Sequence, residues 1–284
     1  MWGSLAVIGR RSAKSRCRGL GCLGSVNRVA GEEVMQDDAH RRVVRIGDTV
    51  RRPVQPWTPS VHALLRHLED VGFGYAPRPL GIDAEGREVL TFIKGDSGTA
   101  GWAKVVGEQG LRNFARLLRD YHDACAGFSP PSGATWSAGA GGPGDHEVVC
   151  HGDFGPWNVV WQGDQPVGII DWDFAHPAPR LHDVAYALEY VAPFRDDAEC
   201  LRWLRYPAPP DRRRRLEVFC NAYGLDATVG IVSAVIARQE DNADLVHRLA
   251  EQGCEPQATW VADGLLAELV DRIAWSRASR HLFE

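Results

Sequence analysis

Two kinds of hydrophobic pattern divide this chain into an early part rich in strands and a later part rich in helices. Short apolar runs bounded by Gly, Pro or Asp predict strands at 43–46, 49–52, 80–82, 88–93, 148–150, 158–161 and 167–170. Apolar residues three and four positions apart predict helices at 58–72, 111–125, 184–191, 216–222, 229–249 and 259–279. This order predicts an α+β fold, in which a small β-rich lobe ends near Gly95 and a larger, mostly helical lobe follows.

Turn and capping residues set several of the predicted boundaries. Gly47-Asp48 separates two short strands, which is typical of a β-hairpin. Thr58 is predicted to cap the first helix, with Pro59 at its first position and Gly72 at its end.

The stretch from Glu147 to Leu188 brings polar residues to the ends of three predicted strands. Asp153 lies on the loop after the first strand, Asn158 begins the second strand, and Asp171 follows the third. A loop carboxylate can accept the proton of an attacking hydroxyl, and an amide and a carboxylate together can hold Mg²⁺ against the phosphates of a nucleotide. The spacing therefore favours kinase-type phosphoryl transfer. The alternative is that these side chains only form turns.

Two linked motifs make the chemistry more specific. The residues HGDFGPWN at 151–158 and IIDWD at 169–173 resemble the catalytic loop and the metal-binding strand of the aminoglycoside phosphotransferase family, which is related to the protein kinases. A fainter resemblance extends from 43 to 190. It implies a protein-kinase-like fold with two lobes, in which 35–95 binds the nucleotide and 96–284 carries the catalytic and acceptor-binding residues.

The resemblance also assigns roles to the matching positions. It implies that Asp153 is the catalytic base and that Asn158 and Asp171 are ligands of Mg²⁺. His151 is expected to fix the loop through backbone bonds. Asp173 is expected either to touch a second metal ion or to cap a turn.

The predicted nucleotide lobe departs from the family pattern. By resemblance, Thr91, Phe92 and Ile93 lead into the hinge whose backbone pairs with adenine. No glycine-rich loop of the G-x-G-x-x-G form precedes the hairpin, and no lysine lies on the strand before the first helix. Arg51 is the predicted replacement for that lysine, with Arg52 as runner-up, because arginine also holds phosphate oxygens. A solvated cross-strand charge is the alternative for either arginine.

The acidic partner of the family's lysine is also missing from its expected position. Val61 stands where the family has a helix glutamate, and Glu69 is the alternative from another register. This double loss keeps open a nucleotide-binding pseudokinase with a regulatory or scaffold role. A helical scaffold that binds no nucleotide is a third interpretation.

Composition narrows the class of protein and its compartment. With 284 residues and 44% hydrophobic content the chain can bury a sizeable core, and no apolar run approaches the ~20 residues of a membrane helix. Seven scattered cysteines without a C-x-x-C pair argue against a zinc site or a disulfide framework and indicate the cytoplasm. The net charge is −5, and the acidic excess lies after residue 34. An acidic body argues against nucleic acid as a partner and favours a cationic acceptor.

The chain contains further segments for which the sequence gives an expectation. Residues 1–34 are expected to be a disordered leader or to precede a true start at Met35. The run 212–215 of four arginines is expected to be a solvated helix face, and Asp183 to cap the helix that follows it. Three tryptophans near the motifs are expected to pack in the core: Trp157, Trp161 and Trp172. The acidic residues that are candidates to face a cationic acceptor are Glu189, Asp196, Asp197 and Glu199.

The sequence therefore predicts a phosphotransferase that moves the γ-phosphoryl group of ATP or GTP, with Mg²⁺, to a hydroxyl of a small molecule. The choice between ATP and GTP, the identity of the acceptor and the oligomeric state stay open, because a fold-level resemblance does not fix them.

Overall fold

The first lobe is an antiparallel sheet with one helix. The structure, a computed structural model, describes residues 31–37, 41–137, 147–226 and 228–284. The elements of the first lobe are β1 Glu32–Asp37, β2 Arg42–Ile46, β3 Thr49–Pro53, α1 Thr58–Asp70, β4 Pro79–Ile82 and β5 Arg87–Thr91. Within the described residues the sheet has five strands in the order β1-β2-β3-β5-β4. It starts at Glu32, three residues before the predicted lobe boundary, and the predictions for 1–30 lie outside the described residues.

The sheet pairs two residues that matter for the site. The predicted hairpin is confirmed, because β2 and β3 pair as antiparallel neighbours across Gly47-Asp48, and Gly47 has the positive φ of 58° that such a turn requires. On the other side of β3, Arg52 lies directly opposite Glu88 of β5. Their side chains are therefore cross-strand neighbours on one face of the sheet.

Helix α1 covers one face of the first lobe through an apolar stripe. Val61, Leu64, Leu65 and Leu68 are buried, at the three- and four-residue spacing of a core-facing helix. The helix starts at Thr58 rather than after it. The Thr58 hydroxyl accepts the N–H of Gln55 at 2.9 Å, so it stabilises the preceding turn and does not cap the helix.

The second lobe is mostly helical, with two small hairpin-like sheets at its centre. Its helices are α2 Gly101–Lys104, α3 Glu108–Ala124, α4 Arg180–Val191, α5 Asp197–Arg202, α6 Arg212–Tyr223, α7 Ile231–Glu251, α8 Gln257–Ala262 and α9 Leu265–Ala278. Its strands are β6 Glu147–Cys150, β7 Val159–Gln162, β8 Gln165–Ile169 and β9 His176–Pro179, and single 3₁₀ turns occur at Gly98–Ala100, Pro156–Asn158, Trp172–Phe174 and Arg280–Leu282. β6 pairs with β9, and β7 pairs with β8. This is the two-lobed α+β architecture that the sequence predicts.

Backbone bonds and one continuous core join the two lobes. Asp96 and Trp161 exchange two N–H···O bonds of 2.8 Å, and the Ile169 N–H donates to the carbonyl of Tyr75 at 2.6 Å. The core runs from α1 through α3 to the helices of the second lobe, with members such as Leu64 and Phe114. The strands β7 and β8, which lead to the predicted site residues, are therefore held by backbone bonds to the first lobe and by the common core.

Several element predictions need correction. The predicted helix 259–279 is two helices, because Gly264 adopts a left-handed φ of 100° between α8 and α9. The arginine run is not a uniform solvated face. Arg212 and Arg215 are buried and donate to backbone carbonyls, those of Pro193 and Val191 among them.

The burial of the three tryptophans near the motifs confirms the prediction of core packing. Trp161 and Trp172 are fully buried, and Trp157 packs on Trp102 with ring centroids 4.9 Å apart. None of the helices in the described residues is long and apolar enough to cross a membrane.

Candidate active site

The loop after β6, which is predicted to be catalytic, is held in place by Asp183. The carboxylate of Asp183 accepts the backbone N–H groups of His151 at 2.6 Å and of Gly152 at 2.9 Å, and it lies 3.2 Å from His122 Nε2. Burial alone would raise the pKa of Asp183, but the hydrogen bond and charge of His122, followed by the charges of His151 and His182, lower the pKa below its ordinary range. Asp183 lies in the first turn of α4, so the prediction that it caps the helix is replaced by a role in holding the loop.

Gly152 and His151 fix the conformation of this loop. Gly152 has a φ of 79°, and a Cβ at this position would lie 2.1 Å from the carbonyl oxygen of Phe174. His151 Nε2 donates to the carbonyl of Ile170 at 3.0 Å, which ties the loop to the end of β8. His151 therefore lies where its predicted structural role requires.

Asp153 is buried at the centre of the site. Its Oδ1 accepts the hydroxyl of Tyr186, and its Oδ2 accepts the Nδ2 of Asn158 at 2.9 Å. Burial raises the pKa of Asp153 to about 7, and the negative charge of Asp171 acts in the same direction, while the two hydrogen bonds oppose it. The side chain is thus a rigid acceptor held between an amide and a phenol.

Asn158 presents its amide oxygen away from Asp153. Its Nδ2 donates both to the carboxylate of Asp153 and to the Asp153 carbonyl, each at 2.9 Å, so that both amide hydrogens are engaged. The remaining Oδ1 is a neutral oxygen ligand of the kind that Mg²⁺ accepts.

Asp171 and Asp173 form an acidic pair at the end of β8. Asp171 has a φ of 65°, a left-handed conformation that a residue other than glycine rarely adopts, and one that often marks a functional site. Burial would raise the pKa of Asp171, but the charges of Arg41 and Arg52 outweigh it and lower the pKa to about 2. Asp171 is therefore ionised, and it follows Ile170, whose N–H donates to the Asn158 carbonyl at 2.8 Å.

Two arginines of the first lobe reach this acidic pair. Arg41 lies 3.4 Å from Asp171 Oδ1 and 3.1 Å from Asp173 Oδ2. Arg52 lies 3.6 Å from Asp171 Oδ1 and 3.3 Å from Asp173 Oδ1, and its Nε donates to the carboxylate of Glu88. The second oxygen of Glu88 lies 2.8 Å from His62 on α1.

The structure distinguishes the two arginines that the sequence left as alternatives. Arg51, the predicted replacement for lysine, lies 3.4 Å from Asp83 and contacts the hydroxyl of Thr49, away from the acidic pair. Arg52, the runner-up, is the one that reaches Asp171. Val61 is in the core, and the exposed Glu69 lies near Arg78, so the acidic partner comes from strand β5 instead of α1.

The predicted hinge lies next to a cavity of about 520 Å³, and part of its backbone is already bonded. The N–H of Thr91 donates to the Arg78 carbonyl at 3.0 Å, and the N–H of Phe92 donates to the Asp48 carbonyl at 2.8 Å. Thr91, Phe92 and Ile93 all line the cavity. The N–H groups of Thr91 and Phe92 are therefore already bonded within the protein, and neither of these two bonds involves the N–H of Ile93.

The acidic residues proposed to face a cationic acceptor are engaged elsewhere. Asp196 caps α5 by accepting the Glu199 N–H at 2.7 Å, and Asp197 lies 2.9 Å from Arg212. Glu189 and Glu199 both lie near Arg195, at 3.6 and 2.7 Å. The expectation of a cationic acceptor therefore finds no support from these four side chains.

The structure thus brings together Asp153, Asn158 and Asp171, as predicted from the motifs. It adds three site residues that the sequence reasoning missed: Arg41, Glu88 and Tyr186. Tyr186 lies three residues after Asp183 on the same helix, and that spacing was the available signal. Arg41 and Glu88 depend on the pairing of strands and carry no local signature.

Comparison with known proteins agrees with this geometry. The sequence model of the phosphotransferase enzyme family matches residues 134–218. The chain is 36% identical to the trifolitoxin immunity protein of Rhizobium leguminosarum bv. trifolii over 245 residues, which cover 84% of this chain and 88% of that protein.

Two solved structures share the fold at low sequence identity. The amicoumacin kinase hAmiN, in complex with AMP-PNP and Ca²⁺, has a TM-score of 0.57 and 12% identity, and the match covers 85% of this chain and 88% of that one. The GDP complex of aminoglycoside 2'-phosphotransferase-IIIa has a TM-score of 0.52 and 11% identity, with coverage of 90% and 95%.

Proposed function

This chain belongs to the phosphotransferase enzyme family, and on that premise we propose that it moves the γ-phosphoryl group of ATP or GTP to a hydroxyl of a small molecule, with Mg²⁺. The observation that carries the proposal is the buried contact between Asp153 and Asn158 beside the acidic pair. A protein that only binds nucleotides has no need for a buried, rigid hydrogen-bond acceptor next to oxygen ligands for a metal ion.

In the proposed reaction Asp153 accepts the hydrogen bond of the acceptor hydroxyl. The hydroxyl oxygen attacks the γ-phosphorus, the bond from that phosphorus to the bridging oxygen breaks, and the nucleoside diphosphate leaves. The proton of the hydroxyl passes to the carboxylate of Asp153. Tyr186 keeps the carboxylate oriented through Oδ1, and Asn158 does so through Oδ2.

The oxygen donors around Asp171 fit a hard divalent cation. Asn158 would supply its Oδ1 and Asp171 its carboxylate, and Asp173 is a second acidic group within reach of the same arginines. When bound, Mg²⁺ would neutralise the charge on the phosphate oxygens.

Arg52 is proposed to take the place of the family's phosphate-binding lysine. It comes from the strand before α1, is buried, and keeps a carboxylate partner in Glu88. Arg52 and Glu88 form an ion pair in place of the family's lysine and glutamate, whose absence from the expected positions favoured a pseudokinase. For this reason the pseudokinase is the weaker candidate.

A second candidate function is immunity to a toxin, with the toxin as the acceptor. The identity of 36% to the trifolitoxin immunity protein, across most of both chains, favours it. Expression of the chain and of its Asp153→Asn variant in a toxin-sensitive strain would test this function. Loss of protection in the variant would indicate phosphorylation of the toxin, whereas protection by the variant would indicate binding alone.

The test of the main proposal is a thermal-shift titration of the full chain with ATP and GTP, with and without Mg²⁺. A ligand that binds the native state raises the midpoint by mass action, so a Mg²⁺-dependent rise is expected for at least one nucleotide. In Asp171→Ala the Mg²⁺-dependent part of the shift should disappear. An unchanged midpoint up to millimolar nucleotide would overturn the proposal.

A further inference from the structure

Two buried tyrosines pack against each other on α4, and one of them contacts Asp153. Tyr186 and Tyr190 are four residues apart on α4, so they lie on the same helix face, and their ring centroids are 5.2 Å apart. The hydroxyl of Tyr186 donates to Asp153. This tyrosine face, made of Tyr186 and Tyr190, is therefore joined through Tyr186 to the carboxylate that is proposed to accept the hydrogen bond of the acceptor hydroxyl.

A guanidinium group lies over each ring of the tyrosine face. The Cζ of Arg238, from α7, is 5.1 Å from the Tyr186 centroid, and the Cζ of Arg195 is 4.8 Å from the Tyr190 centroid. Both arginines are more than nine-tenths buried. The positive charge at the tyrosine face is therefore held in a region from which most solvent is excluded.

The charge of Arg238 has no carboxylate beside it. Among the residues that the structure describes, no acidic group lies within salt-bridge distance of Arg238, and its buried Nε has no hydrogen-bond partner. The charge of Arg238 also affects the neighbouring His182. Burial is the main cause that lowers the pKa of His182 to about 3, and the charge of Arg238 is the second. A buried guanidinium without a counter-charge is costly unless a ligand pairs with it.

The arginines near Tyr190 also have more hydrogen-bond donors than the neighbouring carboxylates can accept. Arg195 and Arg272 share Glu199, at 2.7 and 3.6 Å, and Glu189 lies 3.6 Å from Arg195. Three buried donor atoms nevertheless have no hydrogen-bond partner within the described part of the chain: Nε and Nη2 of Arg195, and Nη1 of Arg272. For Nη2 of Arg195, the longer ion pair with Glu189 is the contact present. Arg195 and Arg272 thus share the two carboxylates, and Arg238, over the neighbouring ring, adds a third guanidinium group.

We propose that the acceptor carries a carboxylate, which Arg238 binds against the tyrosine face while the acceptor hydroxyl donates to Asp153. This inference rests on the proposed phosphotransferase function and specifies the acceptor class as a hydroxylated carboxylic acid. A planar carboxylate matches the paired donors of a guanidinium group.

The test compares acids with their neutral derivatives as acceptors. Glycerate, gluconate and shikimate, each with its primary amide, and one cationic aminoglycoside are offered to the full chain with Mg²⁺ and nucleotide. Thermal shift measures binding, and acceptor-dependent release of nucleoside diphosphate measures transfer. At least one acid is expected to bind at least tenfold more tightly than its amide.

Arg238→Gln keeps a polar side chain but removes the charge. This variant should bind that acid about tenfold or more weakly, so that its affinity for the acid becomes close to its affinity for the amide. Arg238→Lys, which keeps the charge, should recover part of the lost affinity. The matched control is Arg248→Gln on the exposed side of the same helix, which should change neither value. Retention of the Mg²⁺-nucleotide shift reports that each variant is folded.

The outcomes separate this inference from the proposed function. Transfer to amides or to the aminoglycoside as readily as to acids would overturn the carboxylate and leave the phosphotransferase intact. Acid binding that depends on Arg238, without any nucleotide-dependent transfer, would support the carboxylate site and overturn the phosphotransferase. If no acid raises the midpoint up to about 10 mM, or if Arg238→Gln binds it equally well, water alone satisfies these arginines and the inference is wrong.

Discussion

The two sides of Asp153 use arginine in opposite ways. On the side of the first lobe, Arg41 and Arg52 lie beside Asp171 and Asp173, so each positive charge meets carboxylates. On the side of the carboxy-terminal helices, Arg238 meets the ring of a tyrosine and no carboxylate within the described residues.

This difference indicates what each side is built to receive. Under the proposed function, a negatively charged nucleotide and a divalent cation would bind at the first side, and both arginines and carboxylates are present there to meet them. On the proposed acceptor side, Glu189 and Glu199 are both paired with Arg195, and Arg238 has no salt bridge to a described residue, which favours an anion. The two sides are therefore proposed to select different charges although they share one carboxylate.

Replacing the shared carboxylate should have the largest effect. Asp153→Asn keeps the size of the side chain but removes its negative charge, so it can no longer take the proton of the hydroxyl. We expect acceptor-dependent release of nucleoside diphosphate to fall about 10²- to 10⁴-fold. Steady-state kinetics with saturating nucleotide measure this.

Nucleotide binding supplies the control for that variant. The Mg²⁺-dependent thermal shift should persist in Asp153→Asn, because Asp171 and the arginines are unchanged. A fall in turnover of less than tenfold would mean that Asp153 only orients the hydroxyl or that another group accepts the proton.

The sequence predicted the contacts between residues that are close along the chain and missed those that depend on the pairing of distant strands. Asp153, Asn158 and Asp171 were predictable because their positions are fixed by a short loop and a hairpin, where neighbours in sequence are neighbours in space. The partner of Arg52 was not, because Glu88 lies 36 residues away and faces it only through the register of β3 and β5. The helix glutamate was sought on α1, where His62 instead completes the contact with Glu88.

The acceptor side was harder still to predict. The acidic residues Glu189 and Glu199 invited the expectation of a cationic acceptor, but arginines from a loop and from α9 pair with them. Arg238 sits in an amphipathic helix where a solvated charge is the usual expectation. Its burial on Tyr186 depends on how α7 packs on α4, which no local pattern encodes.

A matched pair of arginine variants would sharpen the account of the first side. Arg52→Ala leaves the fully buried Glu88 without its guanidinium partner, and the loss of one partner from a buried ion pair costs about 3–5 kcal/mol. We expect a reduced free energy of unfolding of that size in urea, together with weaker nucleotide binding. Arg51→Ala, one residue earlier, should change the free energy of unfolding by about 1 kcal/mol or less, because its contacts lie nearer the surface.

The double variant Arg52→Met with Glu88→Met separates folding from binding. It removes both charges, so stability should largely return while nucleotide binding stays weak. Equal effects of Arg51→Ala and Arg52→Ala on nucleotide binding would contradict the assignment of the phosphate contact to Arg52.

The smallest expected effect concerns the competition between Arg41 and a metal ion. The guanidinium of Arg41 lies against the carboxylates proposed to bind Mg²⁺, so the ion must displace it or draw it towards the phosphates. Because this pair is partly exposed, the contact stabilises the metal-free state by about 1 kcal/mol or less, which corresponds to a change of up to about fivefold in an equilibrium. Arg41→Gln should therefore lower the half-saturating Mg²⁺ concentration by about two- to fivefold at saturating nucleotide. Arg42→Gln is the control, since Arg42 is more exposed and lies near Glu32 instead, and an unchanged Mg²⁺ requirement in Arg41→Gln would mean that Arg41 does not oppose the ion.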